Sequence, residues 1–135
     1  RTDVMPRQSY LSGENIVEIP RAFDGHYYLT IKVNGTPIEF VADTGATDIV
    51  LSLQDAEHIG IDLNSLVYTG KAHTANGTVR TARTTLDELT LGPIIDRRVP
   101  AWVNEGEMHG SLLGMTYLQR FERIEISKGK LVLER

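Results

Sequence analysis

The chain has no cysteine, a single tryptophan and no apolar run near the length of a membrane-spanning helix. Lack of cysteine removes disulfide frameworks, thiolate zinc sites and cysteine nucleophiles together. It leaves the compartment open, because exported proteins also do without cysteine. A spanning helix needs roughly 18 consecutive apolar residues, and no signal-peptide pattern is present either. Basic residues are scattered, with a formal charge of −4 and an isoelectric point near 5.5. Neither a nucleic-acid footprint nor a membrane contact through a polybasic patch is therefore expected of this fragment. Long repeats and low-complexity tracts are missing too. The chain starts at Arg1 without a methionine, so a longer protein is expected, with any anchor upstream.

What is present suffices for one core. Of 135 residues, 41% are hydrophobic and only 24% charged, which supports one domain and hardly two. "RTDVMPRQSYLS" is polar and without period, so residues 1–15 read as a flexible arm or linker and 16–135 as the domain. "HYYLTIKV" alternates Tyr27, Leu29, Ile31 and Val33 with polar or aromatic partners, the pattern of a half-buried strand. Asn34-Gly35 supplies the two positive-φ positions of a tight hairpin, and "PIEFVAD" returns as the second strand, ending at Asp43. "SLQDAEHIG" predicts a brief helix with Ser52 near its start and Gly60 stopping it. Two long strands rich in threonine and valine meet at Asn76-Gly77, a hairpin with a polar tip. "IIDRRVPAWV" is a further strand, "NEGEMHG" an acidic loop and "SLLG" a compact strand. "MTYLQRF" predicts one or two helical turns, and "RIEISKGKLVLE" a last hairpin turning at Lys128-Gly129. The sum is a mostly antiparallel β domain with two short helices.

"FVADTGATDIVLS" places Asp43 between two apolar runs. Taken alone, Asp-Thr-Gly is an ordinary turn in which aspartate caps backbone N–H groups and glycine takes a strained dihedral. Phe40, Val41 and Ala42 before it, with Ile49, Val50 and Leu51 after it, sink that turn in a core, where a lone carboxylate is expensive. Further along, Leu112, Leu113 and Gly114 precede the second helix, and the polar-tipped hairpin lies between.

Asp-Thr-Gly-Ala, a hairpin, then two apolar residues and glycine before a helix: this order resembles the retropepsin family of aspartic proteases. Still closer is the resemblance to a bacterial branch of single-domain, membrane-anchored members in which "DTGAT", "TANG" and "LLGM" recur. It covers about residues 25 to 135. It implies a retropepsin-like closed β-barrel or sandwich with a flap hairpin, forming half of a two-fold symmetric protease. Aspartic proteases need two carboxylates sharing one proton. With one Asp-Thr-Gly per chain, the second would come from a homodimer partner. By the same resemblance Asp43 is catalytic, Thr44, Gly45 and Ala46 form the active-site loop and set dimer register, and Thr74, Ala75, Asn76 and Gly77 form the flap over a polypeptide substrate. Leu112, Leu113 and Gly114 support the loop from behind. No cofactor or metal is implied, and the location implied is the periplasmic side of a bacterial inner membrane.

Some features depart from that pattern. Viral relatives carry an acidic residue where Thr47 stands and an arginine where Met115 stands, a pair that braces their dimer. Ala46 replaces the serine usual in pepsin-like sites, which implies a mildly acidic rather than strongly acidic optimum. His26, His58, His73 and His109 share no ligand spacing and read as surface or structural residues. Asp48 and Asp55 have too few oxygen neighbours for a calcium loop. Trp102 and Phe121 read as core, with Trp102 alternatively walling a substrate pocket. Three functions stay open: an endopeptidase, a peptide-binding or dimerisation module of the same fold without catalysis, and a protease limited to processing its own upstream arm.

Overall fold

The computed structural model describes residues 8–11, 15–75 and 77–135. In chain order the elements are β1 (Ser9–Tyr10), β2 (Ile16–Pro20), β3 (Tyr28–Val33), β4 (Thr36–Ala42), β5 (Val50–Ser52), α1 (Leu53–His58), β6 (Tyr68–Thr74), β7 (Gly77–Leu91), β8 (Ile94–Asn104), β9 (Ser111–Leu113), α2 (Met115–Leu118), β10 (Arg123–Ser127) and β11 (Lys130–Glu134). The expected alternation holds in β3, where Leu29, Ile31 and Val33 are fully buried while Thr30 and Lys32 face solvent. Asn34 (φ 51°) and Gly35 (φ 87°) then turn the chain into β4, and Lys128 (φ 53°) and Gly129 (φ 73°) do the same between β10 and β11. These are the paired positive-φ residues that match the twist of a two-residue hairpin.

Two sheets result. Seven strands run in the order β3-β4-β9-β5-β8-β7-β6, and β3 returns to pair with β7 through Lys32↔Thr90 and Val33↔Leu89, which brings the sheet back on itself. Four strands, β1-β2-β11-β10, form the second sheet, all antiparallel. Val17, Ile19, Leu131 and Leu133 of the small sheet share one hydrophobic core with Leu29, Ile31, Phe40, Leu86 and Leu113 of the large one. The small sheet also takes up part of the segment read from sequence as an arm. Ser9 and Tyr10 pair with Glu18 and Val17, and the Gln8 side-chain amide both donates to Thr30 O (2.9 Å) and accepts from Thr30 N–H (2.7 Å). Residues 1–7 and 12–14 of that arm lie outside the described residues.

The helices are short and held at their ends. Ser52 caps α1 by accepting from Asp55 N–H, and the Ser111 hydroxyl accepts from Ser52 N–H while donating to Asp55 Oδ2 at 2.6 Å. One turn forms α2, which buries Tyr117 and Leu118, and the Tyr117 and Phe121 rings meet edge to face at 5.5 Å. Asp96 of β8, nearly buried, accepts from Arg135 (2.6 Å) and Arg120 (3.4 Å), while the Arg135 guanidinium lies over the Phe121 ring. Burial and the adjacent Asp96 carboxylate push the Tyr117 hydroxyl well above its usual range, so it stays neutral. Arg135 is thereby fastened to β8 and to the turn that follows α2.

Ser52→Ala removes the cap of α1 and one acceptor in the Ser52–Ser111–Asp55 cluster. We expect a loss of about 1 kcal/mol, the usual cost of a missing helix cap, read as a lower denaturant midpoint with an unchanged slope.

Candidate active site

Asp43 stands where two parallel strands end together. The β4–β9 register pairs Phe40 with Ser111, Val41 with Leu112 and Ala42 with Leu113, so Asp43 and Gly114 leave the sheet side by side. Asp43 N–H continues the ladder by donating to Leu113 O at 2.9 Å. The loop after it is held by backbone bonds from the start of α2: Met115 N–H to Ala46 O (2.9 Å), Thr116 N–H to Thr47 O (2.8 Å) and Gly114 N–H to Asp48 O (3.1 Å). Such contact is possible because position 114 has no side chain. A Cβ there would lie 2.5 Å from Asp48 O and 2.5 Å from the Thr47 carbonyl carbon. Of Leu112, Leu113 and Gly114, the first pairs with Val41, the second accepts the Asp43 N–H bond and the third is the point of closest backbone approach.

The Asp43 carboxylate is half-buried and accepts from Gly45 N–H at 2.9 Å. Among the described residues no basic side chain forms an ion pair with it. Two open clefts flank the loop. One, of about 700 Å³, is lined by Asp43 and Thr44 together with Asp24, His26, His109 and Ile126. The other, of about 600 Å³, lies between Gly45, Ala46 and Asp48 on one side and Gly70, Thr74 and Trp102 on the other. Leu112 lines both.

The β6–β7 hairpin overhangs the second cleft. Thr74 reaches its wall and donates through Oγ1 to Gly77 O (2.7 Å), closing the tip, where Gly77 has φ 114°. Ala75 and Gly77 are exposed beyond it, and Asn76 lies outside the described residues. At the hairpin's base the Arg80 guanidinium grips Glu105 through two bonds of 2.7 and 2.6 Å and lies over the Tyr68 ring. The hydrogen bonds from Arg80 hold the Glu105 carboxyl below the usual carboxylate range.

Several residues of this site were not assigned from sequence. Asp48, weighed there only as a calcium ligand, joins three elements: its carboxylate accepts from Trp102 Nε1 of β8 (3.1 Å) and Thr116 Oγ1 of α2 (3.4 Å), and its backbone accepts from Gly114. Thr116 and Trp102 thus tie the loop to α2 and β8 within one chain. Trp102 is half-buried and walls the cleft instead of filling the core, with the Arg83 guanidinium 5.1 Å from its ring. Gly70, at a bulge in β6, leaves room for it: a Cβ there would lie 3.0 Å from the indole and 2.5 Å from Thr81 Oγ1. A glycine inside a strand pattern signals a bulge or a close approach, so Gly70 could have been suspected; nothing local announces the Asp48–Trp102 bond. His26 and His109 line the cleft that holds Asp43 and His73 lines the second cleft, yet among the described residues no group of three or more His, Asp or Glu is placed to hold a metal ion.

The chain is similar to several known proteins. Residues 29–120 match the family model of the gag-polyprotein aspartyl protease. The crystal structure of a retropepsin-like aspartic protease from Rickettsia conorii superposes with a TM-score of 0.82 at 40% identity, covering 87% of this chain and 98% of that one. An uncharacterized protein of Rickettsia prowazekii is 37% identical over 96% of this chain and 56% of its own length. An uncharacterized protein of Sinorhizobium, encoded in the region 5′ of cobV, is 36% identical over 90% of this chain and 52% of its own. The chain therefore spans about half the length of the curated relatives it matches.

Gly114→Ala is expected to destabilise the fold by about 1–3 kcal/mol, because the new methyl meets rigid backbone. Gly35→Ala meets no atom within 4 Å but must hold φ 87°, so its cost, about 1 kcal/mol, is conformational. Paired denaturation curves check the order. A Gly114→Ala protein as stable as the parent would show that the approach of the loop to α2 is not tight.

Proposed function

The chain belongs to the retropepsin-like aspartic protease family, and from that premise we propose that it is an endopeptidase acting on polypeptide as a homodimer. The observation that supports this best is the setting of Asp43. The one Asp-Thr-Gly carboxylate of the chain, unpaired with any cation among the described residues, sits on a loop fixed from behind and open to clefts in front. A lone, half-buried carboxylate has little to do there. Two of them across a two-fold axis can share one proton, because like charges about 3 Å apart cannot both ionise.

In this reading the ionised Asp43 takes a proton from a water held between the pair, and that water attacks the scissile carbonyl carbon. The protonated Asp43 of the pair gives its proton to the carbonyl oxygen, forming a tetrahedral diol without any covalent bond to the protein. Collapse of the diol returns a proton to the leaving amine. Gly45 N–H orients one carboxylate oxygen, and the absence of a side chain at that position lets the substrate backbone approach. Thr44, exposed beside Asp43, bonds across the axis and fixes the register of the two aspartates. The peptide lies as an extended strand between the loop and the β6–β7 hairpin, with Trp102 and Thr74 walling one subsite. The hairpin closes as a flap and excludes water. We also take the domain to be the periplasmic part of a longer, membrane-anchored bacterial protein, a reading supported by the resemblance of its "DTGAT", "TANG" and "LLGM" stretches.

Asp43→Asn keeps size and loses the ability to ionise. Hydrolysis of a peptide library is expected to fall by at least about a hundredfold with an unchanged melting curve, and mixing mutant with parent chains should poison activity beyond simple dilution. Retention of cleavage would remove the proposed chemistry; peptide binding without cleavage in both proteins would favour the non-catalytic module.

The parent's rate should trace a bell against pH, falling on the acid side when both aspartates are protonated and on the alkaline side when neither is. A flat profile from pH 4 to 9, with inhibition by chelators or serine reagents, would point to a different mechanism.

A further inference from the structure

The proposed dimer raises the question of which surface each copy presents, and the small sheet bears on it. Its C-terminal strand, β11, is paired along one edge by β10 and along the other by β2 of the same chain. Both edges of β11 are therefore occupied within the chain, so a two-fold contact through this sheet needs another strand.

β10 offers it. Ile124 pairs with Leu133 and Ile126 with Leu131, and cross-strand partners share a sheet face. Leu131 and Leu133, like Val17 and Ile19 beside them, are buried in the core, yet on the same face Ile124 is 37% exposed and Ile126 60%. The small sheet thus overhangs the body, with two core-facing isoleucines and too little beneath them. Phe23, 84% exposed, is the residue before the cleft-lining Asp24, and the neighbouring Arg21 N–H donates to Gly129 O in the β10–β11 turn. Ile126 and Asp24 line the same cleft as Asp43 and Thr44. Ile126 lines the cleft itself, Ile124 stands two residues before it on the same strand, and Phe23 adjoins Asp24 in sequence; large apolar side chains exposed beside the proposed site mark a surface for a partner.

We propose that a second copy of this chain covers it: Phe23, Ile124 and Ile126 form the apolar part of the two-fold interface that brings the two Asp43 residues together, in place of exchanged terminal strands. This rests on the homodimeric protease reading and names the partner surface of that site. The occupant is a second copy because the apolar surface runs into the cleft that holds Asp43, and a site with one aspartate is complete only when that cleft faces its own copy. The opposite face of β10 carries charges of both signs, Arg123 and Glu125, so two such edges can approach without net repulsion.

Sedimentation and peptide cleavage of the parent, Ile126→Asp, Phe23→Asp and, as a control, Ile95→Asp provide the test. Ile95 is 50% exposed near the start of β8, far along that strand from Trp102. All three sites are solvent-exposed, so melting curves should stay near that of the parent. Expected is a dimer dissociation constant raised about tenfold or more in Ile126→Asp and Phe23→Asp, with activity restored at higher protein concentration in Phe23→Asp, and no change in Ile95→Asp. Variants that dimerise like the parent overturn the proposal, even if Asp43→Asn shows the chain to be an aspartic protease; so does loss of vesicle or peptide binding alone, with dimers intact. A parent that is monomeric at every concentration overturns it as well. Dimers lost in these variants, from a parent that cleaves nothing, would support the interface and sink the protease reading instead.

Discussion

Three residue pairs between β4 and β9 govern the arrangement of the site. A parallel ladder cannot be closed by a tight turn, so this pairing joins segments of the chain some seventy positions apart, Phe40 with Ser111 and Ala42 with Leu113. Once it forms, Asp43 and Gly114 leave the sheet together and the rest is local. The first N–H groups of a helix lack intrahelical partners, and here those of Met115 and Thr116 find the carbonyls of Ala46 and Thr47. Each element's unmet hydrogen bonds satisfy the other's. Tyr117 and Leu118, buried one turn on, tie that contact to the core. Only a few covalent and hydrogen-bonded links separate the hydrophobic interior from the carboxylate.

The hairpin opposite is built differently. Its distal residues Thr74, Ala75, Gly77 and Thr78 are exposed and bury no apolar surface, whereas its base is gripped by the Arg80–Glu105 pair and bounded by Trp102. Segments with few buried contacts open at low free energy. On the proposed reading, a floor braced beneath a less buried tip suits a lid over a peptide, and Gly70 lets the indole pass under the strand. Because Asp48 holds that indole through Nε1, the wall of the cleft is referenced to the same loop that carries Asp43.

The parts of this fold legible in sequence were those whose cause is local. Asn34-Gly35 and Lys128-Gly129 announce their hairpins because a two-residue turn needs two positive-φ positions. Ser52 announces the start of α1 because a hydroxyl must meet an orphan N–H. Asp43 stood out because a carboxylate between apolar runs lacks a local explanation, and the order of motifs around it pointed to the family. What could not be read was contact between distant positions. Asp48 and Trp102 are 54 residues apart, and neither residue's neighbours predict the other. Trp102 read as core because large aromatics usually are; its polar tip and Gly70 together place it at a cleft. Residues 9–10 read as arm because two residues carry no periodicity, yet they pair with Glu18 and Val17, and the preceding Gln8 amide bonds the backbone of Thr30.

The small sheet separates folding from assembly. A domain whose terminal strands pair with a partner's has no complete sheet until it associates, so its stability depends on concentration. Here β2, β10 and β11 close within one chain, and Val17, Ile19, Leu131 and Leu133 reach the core unaided. The monomer can then be a folded species, and on the proposed reading it carries one aspartate and half a site. Activity becomes a question of mass action between folded halves, rising with the square of concentration while dimers are scarce. Under those conditions, any tether that confines copies to a shared surface raises their effective concentration and with it the fraction of complete sites. On that reading, control lies in where the copies are gathered, with no change in the fold of either half.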